Sequence, residues 1–180
     1  LGTALLEQGR RLLSWSRDFT LRVWDLELAE CLMVMRGHRG HVIGAMLLEG
    51  DSRVLSWSKD GTLKMWDLAS GRCLRTFGDR GADVRGVSLV GNGQQAVSWH
   101  SDCRICLWNL IDGSLIATLT LDAPPRAVAI TSPAQAIASD EEGGLHFLQL
   151  GVPAADRPPV TLEAQGPMAR ESAFAIPRIV

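Results

Sequence analysis

Leu55-Ser56-Trp57-Ser58-Lys59-Asp60-Gly61-Thr62-Leu63-Lys64-Met65-Trp66-Asp67-Leu68 is the stretch that decides the fold, because the chain writes it more than once. It stands earlier as Leu13-Ser14-Trp15-Ser16-Arg17-Asp18-Phe19-Thr20-Leu21-Arg22-Val23-Trp24-Asp25-Leu26, and more loosely from Val97 to Leu110. Trp24, Trp66 and Trp108 advance by a constant 42 residues, as do Trp15, Trp57 and Trp99. The six tryptophans of a chain without tyrosine are therefore two positions used three times.

Within the repeat, Val54–Ser58 is a short β-favouring run closed by the turn Lys59-Asp60-Gly61, and Thr62–Trp66 alternates apolar and polar residues. Ala69-Ser70-Gly71 turns the chain again before Cys73–Phe77, and Val42–Leu48 supplies an earlier strand. The period predicts strands near 52–58, 62–68, 72–77, 94–100 and 104–110, and almost no helix. Four short strands in about 40–45 residues with a Trp-Asp dipeptide are the signature of a propeller blade.

On these residues the chain resembles the WD40-repeat family, and bacterial arrays of that family in particular. The resemblance implies an all-β fold, a β-propeller segment of about four four-stranded antiparallel blades near 1–36, 42–78, 84–120 and 126–163, ragged at both ends. The fourth blade is a decayed copy: Ala138-Ser139-Asp140-Glu141-Glu142-Gly143-Gly144 resembles the strand-turn segment, and Leu148 stands where tryptophan is expected. Pro158-Pro159 confine its last strand to a short run around Val160–Leu162. Leu1–Leu6 aligns with Ile43–Leu48, so the chain opens inside a first strand. Residues 164–180 read as a tail in which Ala173–Ile176 forms the first strand of a further blade or crosses a seam. Both ends fall inside repeats, which leaves a fragment of a larger ring and a half-ring as the two expectations.

The resemblance also implies a buried hydrogen-bonded tetrad in each good blade. The second blade supplies His38, Ser56, Asp60 and Trp66; the first supplies Ser14, Asp18 and Trp24; the third supplies Ser98, Asp102 and Trp108, with Gly78-Asp79-Arg80 in place of Gly-His. The fourth keeps Ser139. A Ser-His-Asp set could be misread as a triad, but catalytic sites do not recur once per blade. Cys103-Arg104-Ile105-Cys106 reads as strand, on which residues three apart face opposite ways and cannot share a metal. Cys31 and Cys73 are expected as small buried apolar residues, and His41 and His100 as solvated or locally bonded.

Function follows from what remains. The net charge of −2 gives no reason to expect nucleic acid or a membrane surface, no apolar run approaches a bilayer span, and the first residues lack the regions of a signal peptide. The expectation is a cytoplasmic protein–protein interaction scaffold without cofactor or metal, a docking or sensor module of a larger bacterial signalling protein; a self-assembling half-propeller closing as a homodimer through its end blades is the alternative. An enzyme would need acids or histidines converging outside the repeat, and Asp140-Glu141-Glu142 reads as an acidic turn. The resemblance places partner contacts on the tetrad loops, where Arg17, Lys59 and Ser101 precede each turn aspartate and Arg39, His41, Arg80 and Asp83 lie beside them. Their basic character suits an acidic or phosphorylated partner.

Overall fold

The computed structural model describes residues 2–48, 52–78, 81–150 and 164–165. Strands β1 (Gly2–Leu6), β2 (Arg11–Trp15), β3 (Thr20–Asp25) and β4 (Glu30–Arg36) form the first four-stranded sheet. β5 (Val42–Leu47), β6 (Arg53–Ser58), β7 (Leu63–Asp67) and β8 (Cys73–Phe77) form the second, and β9 (Val84–Val90), β10 (Gln95–His100), β11 (Arg104–Asn109) and β12 (Leu115–Thr120) the third. β13 (Pro125–Ser132), β14 (Gln135–Asp140), β15 (Leu145–Gln149) and β16 (Ala164–Gln165) make the fourth. Every pairing is antiparallel between strands adjacent in sequence. Among the described residues the only helical turn is a 3-10 turn at Glu7–Gly9. The chain is an all-β, four-sheet propeller segment, and the strands expected from the repeat fall within a residue or two of those observed.

Turn chemistry explains the Trp-Asp dipeptide. The carboxylate of Asp67 accepts from the Ala69 N–H at 3.0 Å and the Ser70 hydroxyl at 2.6 Å, folding the chain back from β7 to β8. Asn109 does the same for Ile111 at 2.9 Å, which is why an amide replaces the acid there without loss of the turn.

The two middle sheets each pack one face on the sheet before and the other on the sheet after, so the four sheets meet in three apolar seams. Leu13, Leu21, Val23 and Met35 meet Val42, Val54 and Trp66 at the first. Leu55, Leu63, Met65 and Phe77 meet Val87, Ala96 and Trp108 at the second. Val97, Ile105 and Leu107 meet Val128, Ala138 and Leu148 at the third. Each fully buried Val, Leu, Ile, Met or Phe among them contributes about 1.5–3 kcal/mol by leaving water.

Three glycines let the repeat close. Gly2, Gly44 and Gly86 pair in register with Trp15, Trp57 and Trp99, and a β-carbon on any of them would overlap the indole. In the fourth sheet the same pair is Ala127 with Ser139. Both partners have changed together, the larger residue entering where the ring has gone.

The structure corrects four expectations. Cys103 is not on a strand: it occupies the turn before β11 with φ +69°, where the second sheet has Gly61. Cys31 and Cys73 are exposed, because β4 and β8 are outer strands whose thiols bond to the carbonyls of Met33 and Arg75. Ser139 does not hold the tetrad position: the register puts Ala138 opposite His146 as Ser56 is opposite Lys64, so Ser139 corresponds to Trp57. The last strand of the fourth sheet includes Ala164–Gln165, paired with Leu148 and Phe147, inside the stretch read as tail. Val160–Leu162 and Ala173–Ile176 lie outside the described residues.

Candidate functional site

The turn between β6 and β7 carries a sealed polar network. Asp60 accepts on one oxygen from the Thr62 N–H at 3.0 Å and hydroxyl at 2.6 Å. Its other oxygen accepts from the Arg39 N–H at 2.7 Å and from His38 Nδ1 at 2.9 Å. A carboxylate only accepts, so Nδ1 carries a proton. His38 Nε2 lies 2.8 Å from Ser56 Oγ, which also accepts the indole N–H of Trp66 at 2.8 Å. The chain of bonds thus runs from turn to strand to strand and leaves no buried donor of this set unpaired. Burial pushes the Asp60 carboxyl up, but the bonds from His38, Thr62 and Arg39 outweigh it and hold the group well below the usual carboxylate range.

The other sheets solve the same problem differently. In the first, Trp24 donates to Ser14 at 2.9 Å, while Asp18 is tied to its own turn, accepting from the hydroxyl of Thr20 at 2.7 Å and from Arg22 at 2.7 Å. In the third, Trp108 donates to Ser98 at 2.8 Å, and the imidazole comes from the strand itself: His100 is buried with Nε2 2.9 Å from Ser98 Oγ. Asp102 pairs with Arg104 at 2.6 Å. Position 100 is two residues beyond Ser98 on one strand, so period 2 puts both side chains on one face. That same-face spacing is legible in the sequence, and it makes His100 a buried partner of Ser98 and not a solvated residue. In the fourth sheet Ala138 and Leu148 replace Ser and Trp together, removing hydroxyl and indole at once, and a buried pair, His146 Nε2 to Asp140 at 2.7 Å, sits beside them.

Above these networks lie the loops expected to meet a partner. Arg17, Arg39 and Lys59 are exposed, Ser101 and His41 are half-buried, and Arg80 lies outside the described residues. Lys59 stands 3.9 Å from Asp83 across the second seam, and Arg85 pairs with Glu141 across the third. Phe19, which the sequence reading passed over, is exposed on the same side at φ +71° with its ring 5.7 Å from that of His41. The signal was available: Phe19 and Cys103 both follow a turn aspartate at the position of Gly61.

Among the described residues no three His, Cys, Asp or Glu side chains gather as metal ligands, and no helix is long and apolar enough to cross a membrane. No curated protein matches the chain. The family model "WD domain, G-beta repeat" matches residues 29–67, from the outer strand β4 of one sheet through β5–β7 of the next, so the sequence repeat straddles two blades. WD40 repeats generally mediate protein–protein interaction. With one WD40 repeat matched and four four-stranded antiparallel sheets in the described residues, the chain carries a WD40 repeat and its fold is consistent with a WD40-like β-propeller.

Proposed function

We propose that this chain is a non-catalytic scaffold that holds a protein or peptide partner on the loops above the tetrads. One observation carries the reading. The Ser56–His38–Asp60 set, which has triad chemistry on paper, is buried and its hydroxyl is already engaged by Trp66, so its work is to fix the loops. Loops fixed in this way present Arg17, Arg39 and Lys59 to solvent at little cost in conformational freedom on binding. We place this scaffold in the cytoplasm as a docking or sensor part of a larger bacterial signalling protein; support for the source is compositional, only Lys59 and Lys64 being lysines among 18 basic residues. Peptide ligands selected by display against the immobilised chain test the reading, through their hydrogen-exchange footprint. Protection at 16–19, 39–41, 58–61 and 100–103 is expected. A footprint on the opposite loops, 26–29, 68–72 and 110–114, overturns it.

A second reading, closure of two copies end to end, is favoured by the outer face of the fourth sheet. Leu145 is 49% and Phe147 41% exposed, whereas Leu63 and Met65 at the same positions are 0% and 4% under the next sheet. The first sheet leaves Leu5 exposed and Trp24 half-buried on its rear face, where Trp66 in the second sheet is fully covered. A second copy's first blade would repeat there the packing that the chain makes three times internally. Light scattering decides it: a dimer that Phe147→Asp converts to monomer supports the reading, and a monomer at about the tens-of-micromolar level overturns it.

A further inference from the structure

Backbone bonds bring four basic residues to the loops at the first seam. The Val42 N–H donates to the Ser16 carbonyl at 3.1 Å, which sets Arg17 beside His41. The Lys59 N–H donates to the His41 carbonyl at 2.9 Å, and the Arg39 N–H donates to Asp60 at 2.7 Å, bringing Lys59 and Arg39 to the same place. The next seam has the same backbone link, Ser101 N–H to the carbonyl of Asp83 at 3.0 Å. Asp83 is therefore the counterpart of His41, and it pairs with Lys59, the counterpart of Arg17. The third seam carries a carboxylate too, Glu141 on Arg85.

Among the described residues the first seam differs in that both of its turn aspartates are engaged. Asp18 is spent on Thr20 and Arg22, and Asp60 on His38, Thr62 and the Arg39 N–H. Among the described residues neither Arg17 nor Arg39 has an ion-pair partner. A second observation is independent of charge. Phe19 holds a left-handed backbone conformation, φ +71°, at a position where the second and fourth sheets have Gly61 and Gly143. It keeps an exposed aromatic ring against His41 instead of the residue that would relieve the strain.

We propose that the first seam binds an acidic peptide of a partner protein. A Glu or Asp carboxylate takes, between Arg17 and Arg39, the role that Asp83 takes at the second seam, and an apolar residue beside it lies on Phe19 and His41. Arg forks match a carboxylate in two parallel bonds, and the aromatic pair supplies the apolar floor. The proposal rests on the reading that these loops are the contact surface, and it goes further in naming one seam and one chemistry.

The test uses fluorescence anisotropy with a labelled peptide, Glu-Leu-Glu-Glu-Leu-Glu, its Gln-for-Glu counterpart, and a phosphoserine version. The acidic probe is expected to bind and to weaken as salt rises from about 0.05 to 0.3 M. Arg17→Glu and Arg39→Glu should each weaken it about tenfold or more with melting temperature retained. His41→Asp rebuilds the second seam's arrangement and should abolish binding by supplying an internal carboxylate. Phe19→Gly should raise the melting temperature while weakening the probe, a split that a purely structural Phe19 would not give. Equal binding of the Gln peptide, binding of the phosphoserine peptide alone, indifference to Arg17→Glu and His41→Asp, or no binding of the acidic probe at about 1 mM overturns the proposal. If display-selected ligands still protect the loops of the other seams, the general scaffold reading survives that failure; if they protect the opposite loops, both fall.

Discussion

Trp99 stands over Gly86 so closely that a β-carbon on the glycine would overlap the indole, and the two residues are paired in register across β9 and β10. The ring gains its contact with the third seam only because its partner has no side chain. Gly86→Ala should therefore cost about 1–3 kcal/mol by overpacking. In combination with Trp99→Ser, the pair becomes the Ala127–Ser139 couple of the fourth sheet, and the double variant should lose less than the two single losses added. Urea unfolding of the four proteins measures the coupling; strict additivity would count against a shared contact.

The second sheet's network makes a pH-dependent contribution whose sign follows from Asp60. Its carboxyl binds a proton more weakly folded than unfolded, so the stabilisation is complete above the unfolded value of 3.8 and drains away as pH falls below it. Asp18 and Asp140 are held low as well, by Thr20 and His146 respectively, and act in the same direction. Asp60→Ala should cost about 1–3 kcal/mol at neutral pH by leaving His38 and Thr62 donors unpaired. Melting temperature against pH should fall less steeply in acid for this variant than for the parent chain.

Ser98 bridges His100 and Trp108, so Ser98→Ala should cost about 1–3 kcal/mol by orphaning the indole N–H. Adding Trp108→Leu removes that orphan. The second change should then cost less in the Ser98→Ala background than in the parent, as the Ala138–Leu148 couple of the fourth sheet implies. Thermal unfolding of the single and double variants checks this.

Cys103 sits at φ +69°, a conformation that an L side chain adopts at a cost of about 1–2 kcal/mol. Cys103→Gly should stabilise the protein by about 0.5–1 kcal/mol after glycine's greater freedom in the unfolded chain is subtracted. Gly61→Ala, at φ +76°, should lose a similar amount. Differential scanning calorimetry on both variants tests the pair.

The fold was legible because Trp24, Trp66 and Trp108 mark one strand position three times, and that position carries its turn with it. The second sheet's polar set was legible for the same reason: His38, Ser56, Asp60 and Trp66 all stand at their repeat spacings. What escaped was substitution by geometry instead of by position. His100 reaches Ser98 from the strand, where the second sheet's imidazole comes from a loop, and no alignment of columns pairs the two. Ser139 was misplaced because a serine in the right neighbourhood outweighed a one-residue shift, and a one-residue shift in a strand exchanges its faces. Phe19 was overlooked because its meaning lies in a backbone angle.

In each of the four sheets the strands pair in the order in which the chain makes them. In the first three sheets their hydrogen bonds therefore close only short loops, while the seams join distant residues, so the expected rate-limiting event is side-chain docking between finished sheets. The second sheet, with its polar interior already satisfied, is the expected place from which order spreads in both directions. Truncations at Leu55 should then slow refolding, and truncations at Ile137 should leave it unchanged and speed unfolding instead.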